Sequence, residues 1–346
     1  MAARAFIAGV SGLTLSRDER AFLADADPFG FILFKRNVGS KDQVRELVAA
    51  LREAVGRHAP VLVDQEGGRV QRLDAPHWAK YPPGAAYGAL YDDNAQAGVA
   101  AARLGARLIA ADLLELGIDV DCLPLADVPV AEADPIIGDR AYGTRPDKVA
   151  AIAAAIAEGL ADGGVLPVVK HLPGHGRATA DSHAALPVVT AERSLLEATD
   201  FAAFRPLARL PLGMTAHVVF AAIDPLAPAT TSATMIGDVI RGWIGFGGLL
   251  MSDDVSMGAL SGSLSQRTQA ALAAGCDVVL HCNGRMEEMQ AVASEAPRLA
   301  GEAARRADAA LAVRRAPHPI DVAEARATFA RMMAARVSAE PRIATT

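Results

Sequence analysis

The chain has 346 residues, of which 51% are apolar and 21% charged, with a formal net charge of −6. A sizeable buried core follows from that composition, and the acidic balance argues against a nucleic-acid partner, which favours a basic face. The length is large for one domain but ordinary for an α/β barrel with extra helices.

The amino-terminal MAARAFIAGVSG has too short an apolar run for a signal segment and no clean cleavage site, so it reads as a first strand. No uncharged apolar stretch is long enough to span a membrane, so the expected compartment is the cytoplasm. Short β-branched runs then alternate with Ala/Leu/Arg-rich segments of helical period, the pattern of βαβ units. The strand candidates are AFIAGVSG from Ala5, GFILF from Gly30, PVLVDQEG from Pro60 and IDVDCLPLAD from Ile118. VLPVVKHLPG from Val165, LGMTAHVVF from Leu212, GLLMSDDVSM from Gly248 and CDVVLHCN from Cys276 follow. Between them, 41–56, 97–116, 147–162 and 231–241 carry helical periodicity, as in Val44, Leu47, Val48 and Leu51. Continuous apolar strands imply a parallel sheet covered by helices, and eight units favour a closed (β/α)8 barrel of TIM type.

The Gly/Pro/Tyr-rich stretch 66–94 reads as a long loop or hairpin excursion, and 285–337 as helical. One domain is expected over 1–337, with 338–346 a frayed tail. Three cysteines without CxxC spacing argue against disulfides or a thiolate zinc site. Cys122 and Cys276 lie in apolar runs as buried thiols, and Cys282 sits at a strand end.

Titratable residues gather at the carboxyl ends of the candidate strands: Asp64, Asp127, Lys170 with His171, His217, and Asp253 with Asp254. Barrels of this class build their active sites on that rim. Single strand-end residues of this type also serve as helix caps, but five strand ends of one rim are not explained that way.

In VVKHLPGHGRATADSH (168–183), glycines and a proline around His175 make an irregular loop, and Asp181 and His183 stand two apart. In extended chain they share a side, so the carboxylate can orient the imidazole for proton transfer. A loop histidine beside an Asx-type turn is the plainer alternative. Asp253 and Asp254 are adjacent on a strand, so only one aims into the mouth, as a carboxylate nucleophile or a metal ligand. Asp64, Glu66, Arg69 and Arg72 surround a Gly pair, and Arg140 lies on another loop; such groups bind vicinal hydroxyls or pair with each other.

Together, VDQEGGRVQR, IGDR, KHLPGHG with DSH, MTAH and SDD resemble glycoside hydrolase family 3, closest to its β-N-acetylhexosaminidase branch of peptidoglycan recycling. The resemblance runs from about residue 6 to residue 285. It implies Asp253 as nucleophile, His183 as acid/base and Asp181 as the group that orients it. It places Asp64, Arg72, Arg140, Lys170 and His171 on the sugar hydroxyls, and puts His217 on a matching motif among the substrate-binding residues. The implied activity is retaining hydrolysis of terminal β-linked N-acetylglucosamine from muropeptides, with phosphorolysis the nearest alternative. A metal-dependent hydrolase using His171, His217 and Asp253 is the rival from another class. The expectation is a monomer acting on a small amino-sugar glycoside, without cofactor, metal, nucleic acid or membrane.

Overall fold

In a computed structural model describing residues 2–182 and 185–334, eight parallel strands close into a barrel. They are β1 (Arg4–Gly9), β2 (Pro28–Leu33), β3 (Val61–Val63), β4 (Val120–Asp121), β5 (Leu166–Leu172), β6 (Leu212–Thr215), β7 (Leu249–Asp254) and β8 (Val278–His281). Each falls on one of the eight strand segments read from the sequence, with β1 and β2 starting one and two residues ahead of theirs. β1 pairs with β2 on one side and β8 on the other, which closes the ring.

Helices fall between the strands as the (β/α)8 pattern requires. Lys41–Val55 is typical: Ser40 caps its amino end by accepting the Gln43 N–H, and Gly56 ends it in a left-handed conformation. Its buried stripe is Val44, Leu47, Val48 and Leu51, the residues that gave the helical period. Among the described residues, no helix is long and apolar enough to cross a membrane. All three cysteines are free, Cys122 and Cys276 buried and Cys282 partly so.

Strand alternation sorts the core into two layers. Phe6, Ala8, Val61 and Val63 face the helices, while Ile7, Ile32, Leu62, Leu166, Val168 and Met251 fill the barrel interior. The same period of two continues into the rim. Beyond Leu62 the next inward position on β3 is Asp64; beyond Val168 on β5 it is Lys170; beyond Met251 on β7 it is Asp253. The rim chemistry is therefore the top layer of the barrel interior, where packing gives way to solvent.

The structure departs from the sequence reading in four places. β4 is short because Pro124, lacking an N–H, interrupts it; Asp127 lies well past its end, after an isolated bridge from Leu125 to Lys170. The excursion after β3 is a hairpin of Gln65–Gly67 with Val70–Gln71, but its latter part is a helix, Gly84–Asp93. Small residues there serve close packing rather than a loop: a Cβ on Gly88 would lie 1.8 Å from the Tyr142 carbonyl oxygen. The segment expected helical over 231–241 is a helix of π type spanning Met235–Trp243. The carboxyl-terminal region is three helices, Met286–Glu295, Gly301–Ala312 and Val322–Ala334, with non-helical breaks between them.

Gly88→Ala should destabilise the protein by about 1–3 kcal/mol, the scale of forcing an extra carbon into a filled contact. Gly237→Ala, where an added Cβ meets nothing within 4 Å, is the control and should be neutral or slightly stabilising. Urea-unfolding midpoints check this; equal midpoints would show that the 84–93 helix shifts to make room.

Candidate active site

A pocket of about 470 Å³ opens at the carboxyl ends of the strands. The inward positions Phe34, Asp64, Lys170, Met214, Asp253 and Cys282 all line it. A larger cleft of about 760 Å³ lies at the opposite end, against Leu166, Pro167, Leu210, Pro211 and Gly248, and holds none of the rim residues.

Lys170 is the centre of the floor. It is 2% exposed, and its Nζ donates to Asp64 at 2.8 Å and contacts Glu66 at 2.7 Å. Asp64 also accepts from Arg72 Nη2 at 2.9 Å. Glu66 takes both arms of Arg140, each at 2.8 Å, a bidentate pair. Burial disfavours every charge here, but the partners prevail. Against burial, Lys170 and Arg72 hold Asp64 well below the usual carboxylate range. Likewise Arg140 and Lys170 hold Glu66 at about 2, and the two carboxylates raise Lys170 above the usual ammonium range.

The β5 end also carries a histidine network. His171 Nδ1 lies 2.8 Å from Asp127, and Asp127 further accepts the His175 backbone N–H at 2.7 Å. His175 is buried, with Nε2 3.0 Å from the Ser182 hydroxyl, so the loop of the DSH motif is tied to the barrel just before its histidine. Gly176 permits this, since a Cβ there would meet the Val128 carbonyl oxygen at 2.1 Å.

The two adjacent aspartates part company. Asp254 accepts from the Ser256 hydroxyl (2.6 Å), the Ser256 amide (3.0 Å) and the Cys282 amide (3.2 Å). Among the described residues, Asp253 accepts only the Asp254 N–H, at 2.8 Å. Burial would raise the Asp253 carboxyl, but His217 and His171 pull it below the usual value, so it is anionic at neutral pH. A bulge in the pairing of β7 with β8 falls at this point, a common device for aiming a side chain.

Of the residues singled out in the sequence, Asp253, Asp64, Arg72, Arg140, Lys170 and His171 meet in this one pocket. His217 stands behind it, fully buried, with Nδ1 2.7 Å from the Thr230 hydroxyl and Nε2 2.9 Å from the Asp254 carbonyl. Asp181 is half-buried on the loop after β5, and His183 lies outside the described residues. Asp127 and Glu66 were picked out from the sequence but given no substrate role, and Ser182 and Arg36 were not picked out. Glu66 had a signal, since it stands two residues after Asp64.

Burial, followed by the neighbouring His171, pushes His175 down from 6.5 to about 4. Its neutral form is favoured in the fold, so its contribution to stability is complete above about pH 6.5 and is lost as pH falls toward about 4. His175→Gln should therefore flatten the stability curve in that window, by up to about 1.4 kcal/mol per pH unit. Urea unfolding at a series of pH values measures the slopes; identical slopes in both proteins would count against it.

The chain matches the glycosyl hydrolase family 3 N-terminal domain over residues 7–315. It is 44% identical to a beta-hexosaminidase of Alkalilimnicola ehrlichii over 282 residues, 80% of this chain and 79% of that one. Among solved structures it resembles native NagZ from Neisseria gonorrhoeae, with a TM-score of 0.84, 30% identity and 99% of both chains covered. The same neighbour in complex with N-trifluoroacetyl-D-glucosamine gives a TM-score of 0.83 at 30% identity, over 96% of this chain and 97% of the other. With its barrel, its rim and these likenesses in agreement, the chain belongs to glycosyl hydrolase family 3 and stands among its β-hexosaminidases.

Proposed function

We propose that the chain is a retaining exo-β-N-acetylglucosaminidase that frees terminal N-acetylglucosamine from muropeptides carrying anhydro-N-acetylmuramic acid, in the cytoplasm. The observation that carries this reading is the division between the two aspartates. Asp254 is spent on loop amides and a hydroxyl, which leaves Asp253 as the anionic carboxylate facing the pocket.

A carboxylate oxygen of Asp253 attacks the anomeric carbon while the glycosidic oxygen leaves with a proton from His183, whose ring Asp181 orients. Water then attacks the glycosyl-enzyme, His183 takes its proton, and Asp253 is released. Asp64, Arg72, Arg140, Lys170 and His171 hold the hydroxyls of the terminal sugar. His217 acts from behind by favouring the Asp253 anion and holding the main chain at Asp254. A pocket of about 470 Å³ suits one hexosamine with the start of its aglycone better than a polymer. With both His217 nitrogens hydrogen-bonded, a metal set of His171, His217 and Asp253 is disfavoured.

An aryl N-acetyl-β-glucosaminide should be cleaved much faster than the matching β-glucoside, with a strong chelator present; equal or reversed rates would overturn the assignment. A fluorinated glycosyl trap should label Asp253, and Asp253→Ala should lose several orders of magnitude in turnover. Peptide mapping reads the label, and an adduct on Asp254 would reassign the nucleophile.

His183→Ala should slow poor leaving groups by about 10²–10⁴-fold, and activated phenols far less, because good leaving groups need little protonation. Asp181→Ala should show the same trend with a smaller loss. If His183→Ala weakened binding but left turnover of both substrates intact, the acid would lie elsewhere.

A further inference from the structure

Five cations line the pocket: Arg36, Arg69, Arg72, Arg140 and Lys170. Four have acidic partners. Arg72 pairs with Asp64, Arg140 with Glu66, Lys170 with both, and Arg69 with Asp139. Among the described residues, no carboxylate forms an ion pair with Arg36, and the nearby Asp254 carboxylate, committed to Ser256 and the Cys282 amide, acts on it only through space.

Arg36 is nonetheless held in place. It sits in the short turn Lys35–Asn37 after β2, and its Nε donates to the Val10 carbonyl at 2.9 Å. Its Nη2 donates to the Cys282 carbonyl, and its guanidinium lies 4.9 Å from the centre of the Phe34 ring. Arg72 stacks on the same ring at 5.3 Å. Main-chain oxygens thus fix the fork, and Nη1 is left without a partner among the described residues. A fixed guanidinium without a direct ion-pair partner is an anion receptor whose ordering cost is already met by the fold.

Its place in the pocket says which part of a substrate it meets. The floor groups Glu66, Lys170 and Arg140 are buried or nearly so, with side chains 4%, 3% and 10% exposed, whereas Arg36 is exposed. In an exo-acting site the terminal sugar takes the floor and the aglycone takes the mouth. We propose that Arg36 is a specificity-determining residue that selects aglycones bearing a carboxylate. This rests on the exo-glycosidase reading above and adds the charge of the leaving half.

The test uses the full-length protein and two matched substrates, a carboxyphenyl N-acetyl-β-glucosaminide and its carboxamide, with the sulfur-linked analogue of each for binding. The wild type should prefer the acid in kcat/KM, and Arg36→Gln should lower the acid-to-amide ratio about tenfold, the scale of one charge-assisted hydrogen bond. Any cost of losing the Val10 and Cys282 contacts falls on both substrates and cancels in the ratio. Arg36→Lys should retain part of the preference, and added salt should shrink it in the wild type. Binding constants for the sulfur-linked pair should show the same ratio change. They test Arg36 even if neither oxygen-linked compound is cleaved, an outcome that would fail the glycosidase reading alone. An unchanged ratio in Arg36→Gln, by rate and by binding, would leave Arg36 a main-chain clamp and overturn the proposal. So would inorganic phosphate that abolishes the preference at millimolar concentration without added-salt controls doing the same, since the receptor would then serve free phosphate.

Discussion

Burying the Lys170 ammonium is the constraint on which the rim depends. A cation at the top of the barrel interior is costly unless opposite charges reach it, and removing one member of such a pair typically costs about 3–5 kcal/mol. The compensation comes from Asp64 at the end of β3 and Glu66 in the hairpin beyond it. Each carboxylate is then shared with an arginine, Arg72 on the return arm of the hairpin and Arg140 on the loop after β4. The loops after β3, β4 and β5 are thereby fixed to one another by charge before any sugar arrives. Donors and acceptors held in this way need little reorganisation on binding, the condition under which polar groups stabilise a transition state best.

Much of this was legible because a strand has a period of two and a barrel has one interior. Leu62 and Asp64, Val168 and Lys170, Met251 and Asp253 each place a core residue and a functional one on the same face. What the sequence did not disclose is who pairs with whom. Asp64 and Glu66 look equivalent along the chain, yet both were needed for Lys170, and only Asp64 was assigned. Asp127 looked like the end of a strand, but Pro124 cuts β4 short and Asp127 instead holds His171 and the His175 amide. The 84–93 helix was hidden because its small residues have the composition of a loop while serving close contact with the 140–142 backbone.

Two aspartates in sequence are chemically alike until their surroundings divide them. Strand geometry sends them to opposite faces, but the difference in chemistry comes from what each then meets. Asp254 finds two amides and a hydroxyl and becomes a structural acceptor that ties β7 to the residue after β8. Asp253 finds two imidazoles, His171 on β5 and His217 just past β6, and one amide, enough to keep it anionic without occupying both oxygens among the described residues. His217 contributes to both outcomes, since the ring that favours the Asp253 anion also bonds the Asp254 carbonyl. That explains a buried histidine with no open nitrogen on a rim otherwise given to ligand contact.

The balance of charge separates the floor from the mouth. On the floor, Lys170, Arg72 and Arg140 stand against Asp64, Glu66 and Asp253, three cations and three carboxylates. A ligand entering there meets many hydrogen-bonding groups but little net field, which suits a neutral polyol more than a phosphate or carboxylate. In the proposed reaction, charge enters only as the glycosidic bond breaks and positive character grows at the anomeric carbon, and Asp253 is the anion placed to meet it. The mouth obeys the opposite rule, because Arg36 is fixed by main-chain oxygens that carry no net charge. On the proposed reading, the same barrel rim presents a neutralised surface to the sugar and a cation without a direct ion-pair partner to whatever the sugar is attached to.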